Sequence, residues 1–148
     1  MANGLIKDDL KNFLDEKYQE YNNVKFIEDD PIQIPHLFTN HKDIEIAGFL
    51  TSIISWGNRK SIINNAKKMM NLLDNSPYDF IKNCKDSEIK KLEFVHRTFN
   101  SIDFRFFLHS LKNIYTQNES MEDVFLDNNS NFMFDGIETF LIRKKDEG

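Results

Sequence analysis

One unbroken run, Trp56-Gly57-Asn58-Arg59-Lys60, gathers the residue types best suited to holding an anion. It sets an aromatic face, an amide and two cations where one helix is expected to end and the next to begin. Helix N-termini offer free N–H groups to phosphates, and Arg or Lys beside them adds charge-assisted hydrogen bonds. Lys67 and Lys68 follow on the same expected helix. Trp56, Asn58, Arg59, Lys60, Lys67 and Lys68 therefore form the first candidate site, and its partner would be nucleic-acid phosphate, DNA first. A structural reading competes: Trp56 fills the core, Asn58 caps, and the cations are solvated. His96-Arg97-Thr98-Phe99-Asn100 is the second candidate. It would serve a small-molecule enzyme if His96, Arg97 and acidic neighbours converge in one apolar cleft. Its structural alternative is a turn with a buried ion pair.

Other chemistry is hard to assemble. His36, His41, His96 and His109 are scattered, with no HExxH spacing, so no metal site is expected. Cys84 is the single cysteine, which rules out an intramolecular disulfide and argues against a thiolate zinc site. No base is identifiable near it, so it reads as a bystander thiol. Carboxylate pairs such as Asp29-Asp30 are abundant, but nothing in their spacing brings two of them across a cleft. Phosphate-cradling glycine loops are absent, and no cofactor is expected.

The elements that must position these residues read as helices. Leu10, Phe13, Leu14, Tyr18 and Tyr21 recur three or four apart, an apolar stripe on a helix over residues 7–21. Residues 24–40 contain Pro31 and Pro35 and keep no period. An irregular connection is expected there, packing Phe26, Ile32, Ile34, Leu37 and Phe38 on the core. Asn40 or Asp43 can cap a helix that is apolar nearly all round, from Ile44 to Ile54, and such a helix is usually central. Gly57 suits a helix C′ position and Asn58 an N-cap. The next helix carries Ile62, Ile63, Ala66, Met69, Met70 and Leu73 inward, with its cations outward. Ser76-Pro77-Tyr78-Asp79 opens a short helix through Asn83, and another is expected from Ser87 to Phe94. Asn100 or Ser101 caps a longer one bearing Ile102, Phe106, Phe107, Leu111, Ile114 and Tyr115. Ser120 to Asp123 repeats the capping pattern, Asp127 to Asn131 reads as a polar turn, and a last short helix is expected from Met133 to Arg143.

Composition agrees with this pattern. The chain of 148 residues is about one domain long, and 14 Phe against only 5 Gly and 3 Pro suits helices joined by short polar turns. The expected architecture is all-α: a single domain over residues 1–148, a compact orthogonal bundle of about six or seven helices, with 127–148 frayed. The N-terminus lacks the pattern of a signal peptide, and the longest apolar run is too short for a bilayer, so no membrane partner is expected and the cytoplasm is the default. A net charge of −5 argues against a surface that clings to nucleic acid throughout, but it leaves room for a local basic patch.

The segments Asp30 to Phe38, Asp43 to Met70, Asn75 to Ile81 and Phe94 to Asn100 resemble DUF2400, an uncharacterised bacterial family common in Bacteroidetes. The run WGNRKSI is the most specific part of that resemblance. Family members are longer, and their second half is similar to the helix-hairpin-helix DNA glycosylases. Ile44 to Met70 is itself similar to the start of the six-helix lobe of those enzymes. The resemblance implies that Trp56, Asn58 and Arg59 occupy the place of a lesion-probing turn. No LPGVG-like hairpin, catalytic Lys or Asp after it, or cysteine cluster for an iron–sulfur site is present. The expectation is therefore a nucleic-acid phosphate-binding remnant without activity of its own. The alternatives are a helical module that self-associates through an exposed apolar surface, and the His96/Arg97 enzyme.

Overall fold

The computed structural model describes residues 2–125, and among these every regular element is helical. The order is α1 (Ala2–Tyr21), α2 (Val24–Glu28), 3-10 turns at Pro31–Gln33 and Pro35–Leu37, α3 (His41–Ile53), α4 (Arg59–Leu72), α5 (Pro77–Asn83), α6 (Asp86–Ile89), α7 (Ser101–Gln117) and α8 (Glu122–Phe125). This is the all-α bundle expected, more finely divided than six or seven helices. The turn at 127–131 and the helix from Met133 to Arg143 lie outside the described residues. No described helix is long and apolar enough to cross a membrane.

α3 is the centre of the fold. The Asn40 side chain accepts from Lys42 N at 2.9 Å, supplying the N-cap that starts it. Ile46, Ala47 and Leu50 are fully buried, as is Ile54 just beyond its end. Around them close Ile34, Ala66, Met69, Met70, Leu73, Ile81, Phe94, Phe104, Leu108 and Leu111. Each large apolar side chain so enclosed contributes about 1.5–3 kcal/mol relative to exposure. Two carboxylates on α3 tie neighbouring elements to it. Asp43 Oδ1 accepts from Tyr78 N at 2.8 Å, holding the first turn of α5. Glu45 Oε2 accepts from Tyr115 Oη at 2.8 Å and from Met121 N at 3.1 Å, holding α7 and the segment leading to α8.

Two expectations need correction. Residues 24–40 are not irregular: Asn23 caps α2 and Asp30 caps the first 3-10 turn by accepting from Ile32 N at 3.0 Å. Of the apolar residues expected to pack there, Ile34 is buried and Phe38 joins the core, whereas Phe26, Ile32 and Leu37 stay exposed. Proline fixes φ and removes a donor, so two short turns starting at Pro31 and Pro35 replace one continuous helix. The helix expected over Ser87 to Phe94 is only α6, ending at Ile89. Beyond it Ser101 Oγ donates to Phe94 O at 3.2 Å and accepts from Phe94 N at 3.0 Å, and Arg105 Nε donates to Leu92 O at 2.9 Å, so this stretch is tied to α7 instead of continuing as a helix. The stripe on α1 is helical as expected, and at its end Tyr21 meets Phe26 of α2 edge to face at 5.9 Å. Leu10, Phe13, Leu14, Tyr18 and Tyr21 remain between 51% and 60% exposed.

A candidate anion-binding junction

The Asn58 side chain accepts from Ser61 N at 3.1 Å, which starts α4. Immediately before it, Gly57 takes φ +105°, a conformation that suits glycine alone. The chain can thus turn sharply from the end of α3 into α4, and that turn presents Trp56, Arg59 and Lys60 on the surface. The structural reading of Trp56 does not hold, since the indole is 39% exposed. Asn58 does act as a cap.

The two candidate sites meet at this turn. His96 and Phe99 exchange backbone hydrogen bonds, N to O at 2.8 and 3.0 Å, closing a tight turn with Arg97 at φ +56°. The turn carries Arg97 over the Trp56 ring, with its guanidinium carbon 4.6 Å from the ring centroid. His96 meets the same indole edge to face, at 5.9 Å between centroids. The buried ion pair expected for Arg97 is absent: the residue is exposed, and its charge rests on an aromatic face instead. His96 is only 3% exposed, and its Nε2 is buried without a hydrogen-bond partner. A catalytic group must reach its substrate, so this placement does not favour His96 as an acid or base.

Along α4, Arg59, Lys60, Lys67 and Lys68 are all exposed. The nearest carboxylate contact among the described residues is Asp30 Oδ2, 4.0 Å from Arg59 Nη2, a partly exposed ion pair that solvent screening keeps weak. Lys60 and Lys67 are seven positions apart, so they share a face about 10 Å along the axis. The first turn of α4 contains no acidic residue. Cations there oppose the helix macrodipole, at a cost of about 0.3–1 kcal/mol each, which a bound anion would reverse.

Beside the junction lies an open cavity of about 430 Å³ between the first 3-10 turn, α3 and the start of α4. Pro31, Ile32, Pro35 and Ile62 give it apolar walls, and Asp30, Thr51, Ser52, Ser55 and Arg59 its polar groups. Sequence reasoning did not single out the three hydroxyl residues. The readable signal was their clustering near the end of an otherwise apolar helix. Thr51 is 3% exposed, and its Oγ1 is buried with no partner.

The other polar candidates stay apart. Cys84 packs in the core, where burial pushes its thiol upward and away from thiolate reactivity. His41 Nδ1 lies 3.6 Å from Glu45 Oε1 and His109 Nδ1 lies 4.0 Å from Asp86 Oδ1, while His36 is exposed. Among the described residues no three His, Cys, Asp or Glu side chains converge in a way that could hold a metal ion.

Comparison with known proteins finds no match among curated proteins and none among solved structures. A sequence model of the family described as "Protein of unknown function (DUF2400)" matches residues 30–146. That span takes in the cavity, the Trp56–Lys60 junction and the His96–Phe99 turn but leaves out α1. The chain belongs to the DUF2400 family, whose function is unknown.

Proposed function

We propose that this chain binds nucleic acid through the phosphate backbone, at Asn58, Arg59, Lys60, Lys67 and Lys68, with Trp56 beside them. The observation that carries the reading is the row of exposed cations on α4, which begins at a helix N-terminus and whose carboxylate contact at Arg59 is a loose one, 4.0 Å to Asp30. Arg97, held over Trp56, adds a further cation next to the turn. Phosphates seated there would meet free N–H groups, a favourable dipole and side chains that can track a strand. Such binding is sequence-independent, and it is local because the chain carries a net charge of −5. The single, buried cysteine is compatible with work in the cytoplasm.

Fluorescence anisotropy with labelled duplex and single-stranded DNA across salt tests the reading. The expected result is binding that weakens linearly in log–log form with salt. Arg59→Ala and Lys60→Ala should weaken it further, each lowering the salt slope by about one. Absence of binding at low salt removes the reading.

A second reading, self-association, rests on α1. Its five half-exposed apolar residues form a continuous stripe, and stripes of this kind tend to be interfaces. Sedimentation of the chain beside Leu10→Glu/Leu14→Glu decides it: a concentration-dependent dimer lost in the variant is expected, and a monomer at all concentrations rejects it.

A further inference from the structure

The cavity beside the junction differs from the α4 surface in kind. It is concave and in the size range of small-ligand sites rather than shaped to track a strand. Arg59 stands at one side and the turn at Gly57 beside it, so an anionic group entering here meets the guanidinium and the N-terminal end of a fourteen-residue helix. Asp30 lines the same space with its carboxylate. One of its oxygens is committed to Ile32 N at 3.0 Å, and the other lies 4.0 Å from Arg59. A lone phosphate would be repelled by Asp30, whereas a ligand carrying both a phosphate and hydroxyl donors could satisfy Arg59 and Asp30 together.

The second observation is Thr51. It lines the cavity, it is the buried polar residue of the lining, and its Oγ1 has no hydrogen-bond partner. Threonine in a helix is not confined to one χ1 well, and turning this hydroxyl toward a ligand would sacrifice no existing bond. Buried hydroxyls without partners are rare in stable folds and call for a function or a small polar partner, a need that a polar atom of a ligand would meet. Apolar Ile32 and Pro35 leave space for the ring of such a ligand rather than for further charge.

From this we infer that the cavity binds a single sugar-phosphate unit, a nucleoside monophosphate in size and chemistry. The phosphate sits on Arg59 and the start of α4, ribose hydroxyls donate to Asp30, and Thr51 Oγ1 bonds a polar atom of the ligand. The inference deepens the proposed function, since Arg59 serves both. The unit comes either from a free nucleotide or from the phosphorylated end of a strand.

Titration of the intact chain with adenosine 5′-monophosphate, followed by NMR chemical shifts, tests it. Saturable binding with Kd in the ~0.1–1 mM range is expected. Thr51→Val and Arg59→Ala should each weaken it about five-fold or more. Lys67→Ala/Lys68→Ala should leave nucleotide binding intact while weakening DNA, which separates failure of this inference from failure of the backbone reading. Thr51→Val is isosteric and keeps the fold testable. No saturable shift near Arg59, or saturation that Thr51→Val leaves unchanged, overturns the inference. In the supporting case, an oligonucleotide with a 5′-phosphate that outcompetes the 5′-hydroxyl form identifies a strand end, and equal competition identifies the free nucleotide.

Discussion

Arg97 packs directly on Gly57: a Cβ built on Gly57 would lie 2.6 Å from Arg97 Nη1. The missing side chain leaves room for the guanidinium carbon to sit 4.6 Å from the Trp56 ring centroid. One glycine therefore serves two ends, supplying the positive φ that turns α3 into α4 and the space that seats a cation at the turn.

Gly57→Ala should cost about 1–3 kcal/mol from the strain of a side chain at positive φ, while the exposed Arg97 swings away from the added methyl. Urea unfolding measures the loss. Trp56 is the single tryptophan, so its emission should also shift as Arg97 is displaced, and an unchanged spectrum would contradict the contact between them.

Gly48→Ala should do the opposite. Gly48 lies inside α3, and an added Cβ would meet only Pro35 Cβ, at 3.9 Å, an ordinary contact. Helix propensity then favours alanine by about 0.8–1 kcal/mol. A raised melting temperature is expected; a lowered one would mean that the wall of the cavity does not tolerate a methyl group.

Thr51→Val should leave stability unchanged or raise it by up to about 1 kcal/mol, because it removes a buried hydroxyl that has no partner. Denaturant midpoints decide. A loss above about 1 kcal/mol would show that the hydroxyl is satisfied in solution.

Tyr115 makes stability depend on alkaline pH. Burial, and then its hydrogen bond to Glu45, push the phenol well above its ordinary value. In the unfolded chain the same phenol releases its proton near pH 10. Above that pH the folded state binds the extra proton, so the contribution is whole below pH 10 and declines as pH rises. Tyr115→Phe should flatten this decline. At neutral pH the variant should be less stable by about 1–3 kcal/mol, since Glu45 loses a donor and keeps only Met121 N on that oxygen. Thermal melts from pH 7 to 11 check both parts.

What the sequence by itself determined about this protein is local. Asn58 caps the helix expected of it, and Asn40 and Asn100 are the ones that cap where Asp43 and Ser101 are the alternatives, because a cap depends on a side chain and N–H groups only two or three residues away. The buried face of α4 and the central place of α3 follow from periodicity and overall apolarity, which are also properties of a short window. Tertiary structure alone decided which apolar faces find partners. The α1 stripe has as regular a spacing as any in the chain, yet it stays more than half exposed, with Phe26 of α2 against Tyr21 at its end. Only tertiary structure, too, could bring Arg97 to Trp56, join two candidate sites into one junction, and leave Thr51 without a partner beside a cavity. Spacing along a chain specifies which residues share a face of one helix. It carries no information on which faces of different helices meet, since that depends on how all of them pack at once.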